Sequence, residues 1–154
     1  MNNIITKIHT FITNKNRWPC YHVSLFSGGE ADLTNWLDQG LVDTALGYVP
    51  ITRAGVINEA VGEDRLMLVS TNSNAPLRFD PGYIFVDYGE DFSQQHMTFY
   101  ADANSARLTF SAPSPALSYI LQTGGTAYLP ERMVQGLLAQ QRLFLLVAAP
   151  VFTR

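Results

Sequence analysis

Three histidines, His9, His22 and His96, are the side chains of this chain best suited to proton transfer or metal ligation near neutral pH, and they lie far apart in sequence. None belongs to an HExxH or HxH pair, the spacings that put two imidazoles on one metal. His9 falls on the polar side of an amphipathic stretch, His22 in a run with strand character, and His96 follows Gln94-Gln95, where it can cap or bridge. Glu59, Glu63 and Asp64 gather acidic charge near a turn, a pattern that suits a solvated loop better than a metal cage. Cys20 is the only cysteine, which excludes an internal disulfide and a CxxC zinc or redox pair and leaves it a small packing residue beside Pro19. The GxSxG elbow that would expose a serine nucleophile is absent. No catalytic set, metal or cofactor is therefore expected.

Two short runs have the composition of ligand-lining loops. Ser27-Gly28-Gly29 lies between a strand-like run and a helical one, where unpaired backbone amides can meet a phosphate or carboxylate. It lacks the full GxGxxG pattern and the Walker lysine, which argues against a nucleotide. A tight turn and a ligand-lining loop fit it equally well. Ser111-Ala112-Pro113-Ser114 precedes the clearest helix start, with Ser114 in the N-cap role and Pro115 at the first helical position. Its hydroxyls and amides would face the edge of the sheet where open α/β folds collect ligands; simple capping by Ser114 is the plainer reading, and both can hold.

The elements that must carry these loops follow from periodicity. Ile4, Ile5, Ile8, Phe11 and Ile12 recur at helical spacing, and Trp18-Pro19 ends that helix. A strand is expected over 21–26 (YHVSLF), then a helix whose inner face is Leu33, Trp36 and Leu37 and whose C′ residue is Gly40. Further strands are expected over 41–49 (LVDTALGYV) and 66–71 (LMLVST), with a short extended piece around 56–60. Residues 72–82 read as a loop, 83–87 (YIFVD) as a buried strand, 92–99 as a short helix or irregular segment, and 107–110 as a brief strand. Ala116, Leu117, Ile120 and Leu121 form the buried face of the next helix, ended by Gly124-Gly125. A strand over 126–129, a helix opened by Pro130 and carrying Met133, Val134, Leu137 and Leu138, and a strand over 143–147 complete the order. Alternating strands and helices predict an α/β fold with a mainly parallel sheet.

Composition bounds the function. With 154 residues, 47% hydrophobic and 15% charged, the chain has apolar material for a core and no sign of disorder. Ten basic residues scattered among 13 acidic ones, a net charge of −3, argue against a nucleic-acid surface. No signal-peptide h-region and no apolar run near the roughly 18 residues of a membrane span is present, so a cytoplasmic location is expected.

Three motifs carry a family resemblance. Leu33-x-x-Trp36-Leu37-x-x-Gly40-x-Val42-Asp43-x-Ala45-Leu46 resembles a signature of the effector-binding domain of LysR-type transcriptional regulators. Gly62-Glu63-Asp64-Arg65-Leu66-Met67-Leu68-Val69 resembles that family's G-E-[ED]-x-L-x-L-V strand. Ile120 through Pro130 (ILQTGGTAYLP) is similar to its V-x-x-G-x-G-[IV]-x-x-L-P block, with Thr123 in place of the first small residue. Tyr88-Gly89-Glu90-Asp91-Phe92 resembles a motif of one subgroup. The resemblance implies a periplasmic-binding-protein-like fold of two Rossmann-like subdomains, 1–66 and 67–149, with 150–154 starting a crossover back to the first. It places a small-molecule effector, such as a small anion or an aromatic acid, in a cleft lined by Ser27, Gly28, Tyr48, Val49, Ser111, Ala112 and Ser114.

The family's helix-turn-helix has no counterpart here, nor do its usual first strand and final return to the first lobe. A truncated first lobe and a homo-oligomer that covers its exposed sheet edges are accordingly expected, as is the lack of direct DNA binding by this chain. Two other functions fit the fold class. A stand-alone small-molecule-binding protein would need an export signal, and a small α/β hydrolase would need Ser111 or Ser114 as nucleophile.

Overall fold

Leu66–Val69 alternates no polar residue with its apolar ones, the pattern of a strand covered on both faces. In the computed structural model, which describes residues 24–78, 80–100, 106 and 108–154, this run is β1 (Arg65–Ser70), buried from its second residue onward. The chain divides into two compact units between Gly62 and Glu63. Backbone pairing holds the residues that follow Gly62. The Asp64 N–H donates to the Arg154 carbonyl at 2.8 Å and the Arg154 N–H to the Asp64 carbonyl at 2.9 Å, which ties 63–66 and the C-terminal residues to the second unit.

Within the second unit, β2 (Tyr83–Val86), β3 (Thr109–Phe110), β4 (Thr126–Pro130), β5 (Phe144–Leu145) and β6 (Phe152–Thr153) join β1 in one sheet. Its order is β3-β2-β4-β1-β5, and β6 pairs with the start of β1, Arg65 opposite Thr153. β2 is parallel to β3 and β4, whereas β1 is antiparallel to β4, β5 and β6. Five strands thus share one direction and β1 alone opposes them, so the sheet is mixed: two of its five pairings are parallel, and the three that β1 makes are antiparallel. Parallel neighbours need a crossover, and helices supply it. α2 (Glu90–Phe99) joins β2 to β3, α3 (Pro113–Thr123) joins β3 to β4, and α4 (Glu131–Ala139) joins β4 to β5; the helix of the first unit, α1, spans Glu30–Asp38. The 71–82 connection has no helix among its described residues and returns the chain in the opposite sense, which is why β1 is the exception.

The core lies between this sheet and its helices. Leu66, Leu68 and Val69 of β1, Ile84 and Val86 of β2, and Ala127 and Leu129 of β4 pack with Ala116 and Ile120 of α3 and Val134 of α4. Leu117, Leu121, Met133, Leu137 and Leu138 are half-buried against it, so the inner faces read from the sequence hold for both helices. The 143–147 strand is shorter than expected. After Leu145 the Leu146 N–H still donates to the Leu68 carbonyl, but the chain then turns, Ala149 bonding back to Leu146.

The first unit departs further from expectation. α1 forms where the Leu33/Trp36/Leu37 spacing predicts, and Gly40, with φ +65°, takes the left-handed position just past its end. Residues 24–26 and 41–49 form no strand among the described residues, nor does 56–60. A strand is defined by its partner, and 24–62 contain no paired backbone ladder; Asp43 and Gly47 also weaken the 41–49 run as a strand former. The helix expected to carry Ile4 to Ile12 and to end at Trp18-Pro19, together with His9, Cys20, His22 and the first residues of the 21–26 strand, falls outside the described residues.

Candidate functional site

The sequence-predicted ligand residues fall at the start of one helix in each unit and in one loop. In the first unit the 27–29 loop feeds α1, with Gly29 as N-cap. Two contacts shape it. A β-carbon on Gly28 would lie 2.6 Å from the Trp36 ring and 2.8 Å from the Asp32 Cβ, so only glycine lets the backbone pass over that indole. The Gly29 N–H donates to the Asp32 carboxylate at 2.9 Å, which satisfies one of the unpaired amides of the helix start and sets a negative charge against it. Phe26 closes the loop from the other side, its ring 5.8 Å from that of Trp36. Gly47 passes over Leu33 of the same helix and leads to Tyr48 and Val49, which are 55% and 52% exposed. Asn58 steadies the chain beyond them, donating to the Ile51 carbonyl and accepting from the Ile51 N–H, both at 3.0 Å.

In the second unit Ser111 and Ala112 link β3 to α3. The structure corrects the capping assignment: Ala112 is the N-cap, Pro113 occupies the first helical position, and Ser114 lies inside the first turn with its side chain exposed and no capping bond. Pro113 carries the helical φ that starts the turn, and Pro115 is tolerated two residues on because its missing N–H has no partner there in any helix. The same prolines remove two of the amides that a helix start normally offers. What remains are the N–H groups of Ala112 and Ser114 and the hydroxyls of Ser111 and Ser114, with no acidic side chain in the first turn. Such a set donates hydrogen bonds to an acceptor such as a carboxylate or another small anion.

Ser27, Gly28, Tyr48 and Val49 thus belong to the first unit, and Ser111, Ala112 and Ser114 to the second. Of the acidic trio, Glu59 and Glu63 are exposed, whereas Asp64 is buried and ion-paired to Arg132 at 3.3 Å. No group of three His, Cys, Asp or Glu side chains is placed to hold a metal among the described residues.

The sequence reading missed a buried polar core. His96, 1% exposed, turns inward from α2 and meets the Tyr83 hydroxyl at 2.7 Å through Nε2. Phe92, Tyr100, Tyr128 and Phe152 surround its ring. The Tyr128 hydroxyl donates to the Pro150 carbonyl at 3.1 Å and lies 3.2 Å from that of Tyr100, and the Tyr88 hydroxyl donates to the Tyr128 carbonyl at 2.9 Å. Burial drives the Tyr83 and Tyr128 hydroxyls well above the ordinary phenol range, with the neighbouring Tyr100 adding to both. The spacing of Phe92, His96 and Tyr100, four apart, was the available signal, since it puts all three on one helical face. Opposite this cluster Thr126 donates to Asp80 and sits 2.9 Å from the Ser70 hydroxyl, so the buried hydroxyls at that edge of the sheet are satisfied.

The model of the LysR substrate binding domain matches residues 14–154. Among solved structures, the bromide-bound regulatory domain of HypT from Salmonella typhimurium matches with a TM-score of 0.73 at 17% identity, over 94% of this chain and 75% of that one. The OxyR2 regulatory domain from Vibrio vulnificus matches with a TM-score of 0.69 at 15% identity, over 96% and 76%. Full-length HypT, described as a hypochlorite-specific LysR-type transcriptional regulator, matches with a TM-score of 0.69 at 18% identity, and this chain spans 55% of its length. No curated protein sequence matches. These likenesses share the periplasmic-binding-protein-like fold, and the residues of the match include both helix starts described above. This chain belongs to the LysR substrate-binding domain family, the effector-binding regulatory part of LysR-type transcriptional regulators.

Proposed function

We propose that this chain senses a small cytoplasmic metabolite and passes the signal to a DNA-binding segment outside these 154 residues. The family match over 14–154 carries this reading. It is supported by a ligand-compatible loop at one helix start in each unit: Ser27 and Gly28 with Tyr48 and Val49 in the first, Ser111, Ala112 and Ser114 in the second. The donors at Ser111–Ser114 favour an effector with an acceptor group, a small anion or an aromatic acid, in keeping with the bromide bound by the HypT regulatory domain. In this reading the chain binds, and the Nε2 of His96 serves the core through the Tyr83 hydroxyl. Binding shifts the balance between states of the chain by the difference in affinity for them, and a homo-oligomer carries that difference to the DNA.

A thermal-shift screen of halides, carboxylates and aromatic acids tests the reading. A ligand at about 100 times its Kd adds about 2.7 kcal/mol to the stability of the form that binds it, a readily measured rise in Tm. The rise should vanish in Ser111→Ala/Ser114→Ala. A ligand whose effect survives that double substitution and Gly28→Ala alike binds elsewhere, and the proposed site is then wrong.

A further inference from the structure

Apolar burial is divided unevenly between the two units. In the second, Val69, Ala116, Ile120, Leu129 and Val134 are fully buried between the sheet and its helices. In the first, no residue from Ser24 to Gly62 is buried. Leu25, Phe26, Leu41 and Ile57 are between 60% and 94% exposed, so side chains suited to a core stand in solvent. α1 keeps Leu33, Trp36 and Leu37 half-buried and buries nothing outright. A helix of nine residues is too short to hold itself in water without such packing. The ties in the rest of 24–62 are local and exposed: the Asp32 carboxylate on the Gly29 amide, the Asn58 side chain on Ile51, and the Arg53–Asp38 ion pair. Exposed pairs of that kind contribute little.

We propose that residues 24–62 open as a folding unit of their own while the second unit stays folded, an order–disorder switch that carries Ser27, Gly28, Tyr48 and Val49. Apolar burial is the main force opposing chain entropy. A segment that gains little of it opens at a small fraction of the free energy needed to unfold the whole chain. The consequence for binding rests on the effector reading above. A compound touching those four residues orders the segment as it binds, so its affinity is lowered by the cost of ordering and its arrival registers as a gain of structure.

The chain carries a reporter for each unit. Both tryptophans, Trp18 and Trp36, precede residue 63, so in Trp18→Phe the indole fluorescence comes from α1 alone. Far-ultraviolet circular dichroism is dominated by the sheet and three helices of the second unit. In urea the Trp36 transition should come first, its midpoint at least about 1 M below that of the dichroism. Amide hydrogen exchange on the unsubstituted chain gives the same comparison without a substitution. Amides of Leu33 to Leu37 should show at most about a hundredfold protection, and Val69 and Leu129 should exchange at least about a thousandfold more slowly than those. Ile120→Ala, with Leu121→Ala as the milder change, should lower the dichroism midpoint and the protection of Val69 and Leu129 while the Trp36 transition stays in place. Coincident transitions with equal protection in the two units would overturn the proposal, because the chain then unfolds as one body. So would an Ile120→Ala chain in which both transitions fall together. A thermal-shift screen without a single hit would leave both transitions as they are, so the effector reading and this one fail separately.

Discussion

Gly125 stands where the backbone of β4 begins and the 80–82 turn crosses it, and replacing it with alanine should be the most damaging conservative change in the second unit. Its φ is +142°, a conformation that an L side chain reaches at a cost of about 1–3 kcal/mol. The added β-carbon would also lie 2.7 Å from the Gly82 carbonyl oxygen and 3.3 Å from Ile120 Cγ2. Neither neighbour can yield freely. The Gly82 carbonyl accepts from the Thr126 N–H at 3.0 Å, and Ile120 is fully buried. Giving up that hydrogen bond costs about 1 kcal/mol and overpacking of this kind about 1–3 kcal/mol. The sum, about 3–5 kcal/mol with relaxation, is a large share of the roughly 5–15 kcal/mol that holds an ordinary domain together.

Two neighbouring glycines separate the causes. Gly124, at φ +80°, has Thr71 Oγ1 at 3.6 Å as the nearest obstacle, so Gly124→Ala carries the dihedral cost without the clash. Gly136 lies in α4 with nothing within 4 Å, so Gly136→Ala should stabilise by about 0.5–1 kcal/mol through helix propensity. Urea unfolding followed by circular dichroism measures all three as shifts in midpoint at constant slope. The expected order is Gly136→Ala above the parent, Gly124→Ala below it, and Gly125→Ala lowest by at least about 1 kcal/mol. Equal losses at 124 and 125 would refute the close approach of Gly82 as the cause.

Three further outcomes follow from the geometry. Tyr83 and Tyr128 hold their protons in the folded state at a pH where the unfolded chain releases them, so their contribution is complete below about pH 10 and lost as pH rises above it. Stability should then fall by up to about 1.4 kcal/mol per pH unit for each, read from urea midpoints between about pH 9 and 11; a flat profile would contradict their burial. Asp32→Asn removes the charge beside the Gly29 amide, worth about 1 kcal/mol at 4 Å in water, so an anionic effector touching Ser27 and Gly28 should bind about fivefold more tightly by calorimetry. Ile120→Ala empties a fully buried site and should cost about 2–5 kcal/mol by the same urea assay, with a smaller loss for the half-buried Leu121→Ala.

The sequence made some of this legible and hid the rest for physical reasons. The apolar run of β1 and the inner faces of α3 and α4 were readable because burial imposes a period on residue type. The order of βα units likewise fixed a sheet in which all strands but one agree in direction. The 41–49 run misled because alternation records what a segment can pair with, not whether a partner strand lies beside it. Ser114 was misplaced by two positions because two X-Pro steps, Ala112-Pro113 and Ser114-Pro115, overlap, and the first proline decides where helical φ begins. His96, beside the polar Gln94 and Gln95, reads from sequence as a residue that can cap or bridge, yet the helical period that hides Phe92 hides His96 with it.

The candidate ligand residues were legible as loops and not as chemistry, because the character of a helix start depends on what the following turn contains. α1 begins with Glu30 and Asp32 in its first turn, and Asp32 already accepts the Gly29 amide. The positive end of that helix is met from within the chain, and a second anion arriving there has to face a carboxylate. α3 begins with no acid at all, and its prolines at the first and third positions leave two amides and two serine hydroxyls as donors. Two loops of similar composition therefore differ in sign. The first presents an acceptor and the second donors, so the chemistry of each loop is written in Asp32 and in the prolines rather than in the glycines and serines that mark the loops.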